Sequence, residues 1–122
     1  MKSHIDFGKF GEDQARLFLI KQGYSIIESN YRNVMGEIDI IAKERETLCF
    51  IEVKTRKNDA LGSPFESVTK WKQKKILKVA LCYIQEKDLD NINVRFDVVG
   101  IINEQGKDPK IELIKDAFEV VF

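Results

Sequence analysis

Residues 36–56 read GEIDIIAKERETLCFIEVKTR: two apolar runs, 38–42 and 48–53, on either side of a charged turn centred on Glu44, Arg45 and Glu46. Two short apolar runs joined by a polar turn predict a β-hairpin. The charges inside the runs constrain it further. Asp39 interrupts the first run, and Glu52 and Lys54 interrupt or end the second, although strand interiors disfavour all three residue types. Side chains alternate along a strand, so Leu48, Phe50, Glu52, Lys54 and Arg56 share one face, and Cys49, Ile51, Val53 and Thr55 share the other. A turn with an even number of residues, centred between Arg45 and Glu46, pairs Lys43 with Leu48 and, further along, Asp39 with Glu52. Two carboxylates then face each other with Cβ atoms roughly 5 Å apart, where like charges repel. A bound cation would relieve that repulsion.

The chain has 122 residues, the size of one domain covering 1–122, with 43% hydrophobic and 33% charged residues. No apolar run is long enough for a membrane span or a signal peptide, so the cytoplasm is the expected compartment and no membrane partner is expected. Cys49 and Cys82 stand in apolar patterns without metal-ligand spacing and read as buried free thiols. His4, the single histidine, lies in the N-terminal arm, which leaves Ser-His-Asp or Cys-His chemistry little to draw on. Net charge is zero but uneven. Between Lys54 and Lys78 eight basic residues stand against two acidic ones, a local +6 balanced by −6 elsewhere. That asymmetry points to an anionic partner for one face.

Around the hairpin, residues 8–22 predict a first helix stopped by Gly23, with Gly11, Ala15, Phe18 and Leu19 facing inward. Glu12 falls at the margin of that face, either as a carboxylate near a helix N-terminus or as an acidic arm toward the hairpin. Residues 24–31 predict a strand, and 33–36 a turn into the hairpin, giving an antiparallel meander. After a polar loop, Ser63, Pro64 and Glu66 carry the signature of a capping box opening a second helix. Its apolar stripe is Phe65, Val68, Ile76, Val79 and Tyr83, opposite a ridge of Lys70, Lys74 and Lys78. Lys72 falls inside the apolar stripe, where it either snorkels or aims at a site between helix and sheet. The ridge is either a solvated face or an anion-binding one, and no acidic i,i+4 partner occurs between Lys70 and Lys78. Residues 93–102 predict a strand paired in a hairpin with 110–114, and Arg95 and Asp97 on one face read as a structural ion pair. The order is α-β-β-β-α-β-β.

Two carboxylates on adjacent strands with a lysine beside one suit metal-assisted phosphodiester hydrolysis, with Mg²⁺ or Mn²⁺ on the hard oxygens. Lys54 would orient the attacking water or neutralise charge developing at phosphorus. The spacing D-x12-E-x-K alone is a weak signal, since Glu-x-Lys also occurs as an exposed ion pair. The surrounding segments make it specific: GEDQA (11–15), NYR (30–32), GEIDIIA (36–42), FIEVKTR (50–56), KQ (72–73) and RFDV (95–98). Together they resemble the PD-(D/E)xK nuclease superfamily and, more closely, the YraN-like family of small bacterial proteins. The resemblance implies an α/β restriction-endonuclease-like core, a mixed β-sheet flanked by two helices. It also implies that Asp39 and Glu52 bind metal with the Val53 carbonyl, that Lys54 acts in catalysis, and that Lys72 lies beside the site. Similarity to archaeal-type Holliday-junction resolvases would give Glu12 an accessory metal role.

The expected function is therefore a Mg²⁺- or Mn²⁺-dependent endonuclease acting on DNA. Arg56, Lys70, Lys72, Lys74 and Lys78 would contact nucleic acid, and phosphate contacts of that kind weaken with salt. A homodimer is one arrangement that would let such a site cut both strands. The alternatives are a non-catalytic nucleic-acid-binding accessory protein on the same fold and a protein-interaction domain whose charged hairpin face is an ion-pair surface.

Overall fold

β-Branched and aromatic residues concentrate in five segments, and these form the strands: β1 (Ser25–Asn33), β2 (Gly36–Glu44), β3 (Thr47–Arg56), β4 (Asn93–Ile102) and β5 (Lys110–Ile114). Two helices, α1 (Ile5–Lys21) and α2 (Lys70–Glu86), complete the order α-β-β-β-α-β-β. The computed structural model describes residues 5–58, 60 and 62–119, with side chains from residue 8 onward; His4 lies outside them.

The strands make one sheet in the order β1-β2-β3-β4-β5. The first three form an antiparallel meander, β3 pairs β4 in parallel, and β4 and β5 close as an antiparallel pair. A parallel pair requires a crossover connection, and α2 supplies it between β3 and β4. This mixed sheet with its two helices is consistent with a restriction-endonuclease-like core. The hairpin turn has two residues, Arg45 and Glu46, flanked by the pair Glu44↔Thr47, and Lys43 pairs Leu48 as the even-turn register requires.

Alternation along β3 divides the core. On one face Ala15 and Leu19 of α1 pack with Ile40, Ala42, Cys49, Ile51, Val99 and Ile101. On the other, Ile76, Val79 and Tyr83 of α2 cover Leu48, Phe50, Phe96 and Val98. The Tyr83 ring stands edge-on to Tyr31 and Phe50, with centroids 5.1 and 5.8 Å away. Burial of Cys49 pushes its thiol up to about 12, as befits an inert core cysteine. α1 approaches β3 closely at Gly11, where a Cβ would overlap Thr55 Oγ1.

Two helix boundaries differ from the sequence reading. α1 starts at Ile5 and runs through Gly8, because a glycine costs a helix only about 1 kcal/mol relative to alanine. Ser63 does not open α2. It caps a 3₁₀ turn, Pro64–Ser67, by accepting from the Phe65 N–H, and α2 begins afresh at Lys70 with Thr69 as its cap. The break lets the turn set Pro64 against Gly100, 3.2 Å from where a Cβ would sit there, while Val68 buries itself under α2.

At the start of β4 a charged network is sealed into the α1 side of the sheet. Asp97 is fully buried; it accepts from Arg95 Nε at 2.9 Å, Tyr24 Oη at 2.8 Å and the Asp116 N–H at 2.9 Å. Arg95 also donates to Glu44, whose other oxygen accepts from Lys115. The hydrogen bonds from Lys115 and Arg95 hold the Glu44 carboxyl below its ordinary range. Arg95 and Asp97 are thus the structural ion pair expected, embedded in a wider network.

Asp97→Ala removes the buried acceptor shared by Arg95, Tyr24 and the Asp116 N–H, and it should lower unfolding free energy by about 3–5 kcal/mol in urea titration. Gly11→Ala should cost about 1–3 kcal/mol by overpacking, and adding Thr55→Ala should recover most of that loss in the same titration.

Candidate metal centre and nucleic-acid interface

The last backbone pair between β2 and β3 is Ile40↔Ile51. Continued one step, the same register sets Asp39 opposite Glu52, but the two backbones part before reaching it. β3 stays anchored on its other edge, where Glu52, Val53 and Lys54 pair with Val98, Val99 and Gly100 of β4. A buried N–H needs an acceptor. The Asp39 carboxylate provides it, accepting from the Val53 N–H at 2.7 Å.

Glu52 and Lys54, same-face neighbours on β3, form an ion pair at 3.4 Å with side chains only 15% and 19% exposed. From the α2 side Lys72 completes the group. With Glu37, Val53, Trp71, Lys75 and α2's inner side chains, Asp39, Glu52, Lys54 and Lys72 line a cavity of about 430 Å³. Burial, then the facing Glu52 charge, then the Glu12 charge raise the Asp39 carboxyl against the lowering by the Val53 N–H, and it is pushed up to about 8. Contact with the Lys54 ammonium and burial hold Lys72 below the ordinary lysine range, while Glu52 and Asp39 pull the other way. Two carboxylates and two lysines are thus confined in one cavity, with Glu52 acting on Asp39 and Lys54 on Lys72. A second cavity, of about 490 Å³, lies near the far end of α2 among Ile27, Leu48, Tyr83, Leu89 and Ile92, and its one carboxylate is the exposed Glu46. It offers no carboxylate pair.

The remaining candidates fall around this centre. Glu12 acts on Asp39 through its charge but does not line the cavity. Among the described residues no three His, Cys, Asp or Glu side chains come together as a metal cluster, so Asp39 and Glu52 stand as a pair. Arg56 lies at the end of β3, two positions beyond Lys54 on the same face, and is partly buried. Lys70, Lys74 and Lys78 are exposed on α2, outside the cavity. Lys72 lines the cavity together with both carboxylates. Sequence reasoning passed over the lining residues Glu37, Trp71 and Lys75. For Trp71 and Lys75 the available signal was an aromatic residue among five lysines in the first nine residues of the helix.

The family model described as "Uncharacterised protein family UPF0102" matches residues 11–101, which span the hairpin, α2 and nearly all of β4. The chain belongs to the UPF0102 family. It is 48% identical over 120 residues to a UPF0102 protein of Clostridium beijerinckii, covering 98% of each chain. A UPF0102 protein of Desulfosudis oleivorans is 48% identical over 113 residues, covering 93% of this chain and 89% of the relative. One from Syntrophus aciditrophicus is 46% identical over 123 residues, covering 100% and 95%. The UPF0102 match therefore takes in every element of the site, Glu12 included. No helix among the described residues is long and apolar enough to cross a membrane.

The raised Asp39 carboxyl has a consequence for stability. The folded value lies near 8 and the ordinary one near 3.8, so between them the native state holds a proton that the unfolded chain has released. This contribution falls as pH climbs through that window. Asp39→Asn keeps an oxygen acceptor for the Val53 N–H without the charge. Its melting temperature in EDTA should exceed the wild type's by several degrees at about pH 9, and the gap should narrow steadily as pH falls and close only near or below about pH 4.

Proposed function

We propose that this protein is a Mg²⁺- or Mn²⁺-dependent nuclease that hydrolyses DNA phosphodiester bonds, with branched or repair and recombination intermediates as its substrates. The observation that carries this reading is the Asp39–Glu52 pair. Two carboxylates oppose each other at the point where the β2–β3 ladder opens, with Lys54 3.4 Å from one of them and Lys72 across the cavity. The donor chemistry fits a hard divalent cation: oxygen ligands, a mutual repulsion that a positive charge relieves, and an open side facing solvent. Asp39, Glu52 and the Val53 carbonyl would hold the ion. When bound, such an ion lowers the pKa of water and offsets negative charge on a phosphate.

The protein's own groups account for the rest. The Val53 N–H bond keeps the Asp39 carboxylate oriented toward the opening of the ladder. Glu52 holds the Lys54 ammonium by its ion pair, and Lys54 in turn stabilises charge that accumulates on the phosphoryl oxygens. Lys72, partly relieved of its proton affinity by Lys54 and burial, orients the attacking water or adds to that stabilisation. The exposed Lys70, Lys74 and Lys78 contact phosphates farther along the strand, independently of base sequence. A cut in both strands would use two copies.

Wild-type protein with Mn²⁺ or Mg²⁺ should nick branched or single-stranded DNA, and Asp39→Ala, Glu52→Ala and Lys54→Ala should each lower the rate by about a hundredfold or more. No cleavage by wild type, or equal cleavage by the carboxylate variants, would sink the catalytic reading. Salt-sensitive DNA binding without nicking would replace it with the accessory-protein reading.

A further inference from the structure

Trp71 is the only tryptophan in the chain, and its side chain is 68% exposed. It stands in the first turn of α2, one residue from Lys72, and lines the same cavity as Asp39 and Glu52. The indole offers a flat apolar face at the mouth of a charged cavity. Its ring carries the Lys75 Nζ 5.1 Å from the centroid. Around it lie Lys70, Lys72, Lys74, Lys75 and Lys78, and α2 holds no acidic residue before Glu86.

An occupant of this surface must be polyanionic and must also present a flat apolar face. A second copy docked face to face fails the first condition, because the same lysines would meet each other, and one docked through its acidic side offers carboxylates without a flat apolar face for the indole. Continuous duplex DNA fails the second, because its base faces are already stacked on one another. A strand with an unpaired base meets both, and base–aromatic stacking is tolerant of sequence. We infer that Trp71 is a stacking platform for an unpaired nucleobase next to the Asp39–Glu52 centre, so that the substrate class is single-stranded or branch-point DNA. The inference rests on the nuclease reading for the location of the reacting phosphate, and its binding test does not require turnover.

The test uses the intrinsic fluorescence of Trp71 in EDTA, where no strand is cut. A single-stranded oligothymidylate should quench and shift the emission at low salt, and a blunt duplex of the same length should bind with little change. Trp71→Ala should weaken single-strand binding, measured by anisotropy of a labelled strand, by between about fivefold and a hundredfold, and leave duplex binding within about twofold. Trp71→Phe should retain most of the single-strand affinity. Because the side chain is exposed, both variants should melt with the wild type. Equal quenching by duplex, or wild-type affinity of Trp71→Ala for the single strand, would overturn the inference. So would self-association of the wild type, lost in Trp71→Ala on sedimentation. Failure of the nuclease reading looks different: absent cleavage with this discrimination intact.

Discussion

One hydrogen bond, from the Val53 N–H to the Asp39 carboxylate, links the architecture of the sheet to the chemistry of the site. β3 is held along its whole length by β4, from Thr47↔Asn93 to Arg56↔Ile102, whereas β2 follows it only as far as Ile40↔Ile51. Where β2 departs, a side chain takes over a ladder bond. That substitution satisfies the backbone where the ladder opens. Glu52 and Lys54 reach the cavity there because they share the α2 face of β3, and Lys72 reaches it because α2 crosses over that face.

Two aspartates of the sheet, Asp97 fully buried and Asp39 partly buried, show what the environment does with one residue type. Asp97 is fully enclosed and saturated, with Arg95, Tyr24 and the Asp116 N–H around it. Its charge is matched within the protein, and the network ties β4 to the start of β1, the end of β2 and the segment after β5. Asp39 has one backbone donor and a facing carboxylate, and its negative charge is raised in energy by burial, by Glu52 and by Glu12. A local conflict of this kind costs stability, and proteins keep such conflicts where an external partner resolves them. The first arrangement is saturated by partners within the protein; the second leaves a carboxylate facing a carboxylate.

α1 and α2 serve the site differently. α1 approaches β3 until Gly11 meets Thr55, which brings Glu12 near enough to act on Asp39 by charge but leaves it outside the cavity. α2 brings cations and the indole. The excess of positive charge between Lys54 and Lys78 thus becomes a surface on one side of the carboxylate pair, as the chain's uneven charge required.

The strands, their order and the hairpin register were legible in the sequence. Side-chain alternation and an even turn at Arg45 and Glu46 leave one register that buries Ile40 with Ile51 on one face and Ile41 with Phe50 on the other, and continuing it sets Asp39 opposite Glu52. The split between a 3₁₀ turn at Pro64–Ser67 and the start of α2 was not legible, because Ser63-Pro64 is a good local start signal and only the docking of Pro64 on Gly100 ends the turn. Nor was the position of Lys72 decided by its helical phase, which fits snorkelling equally well. Periodicity assigns a side chain to a face. Which groups meet across faces, as Lys72 meets Lys54, Trp71 borders the carboxylates and Glu12 stops short of them, depends on how closely helices pack on the sheet and where a ladder opens. Those are long-range packing outcomes, and no window of sequence contains them.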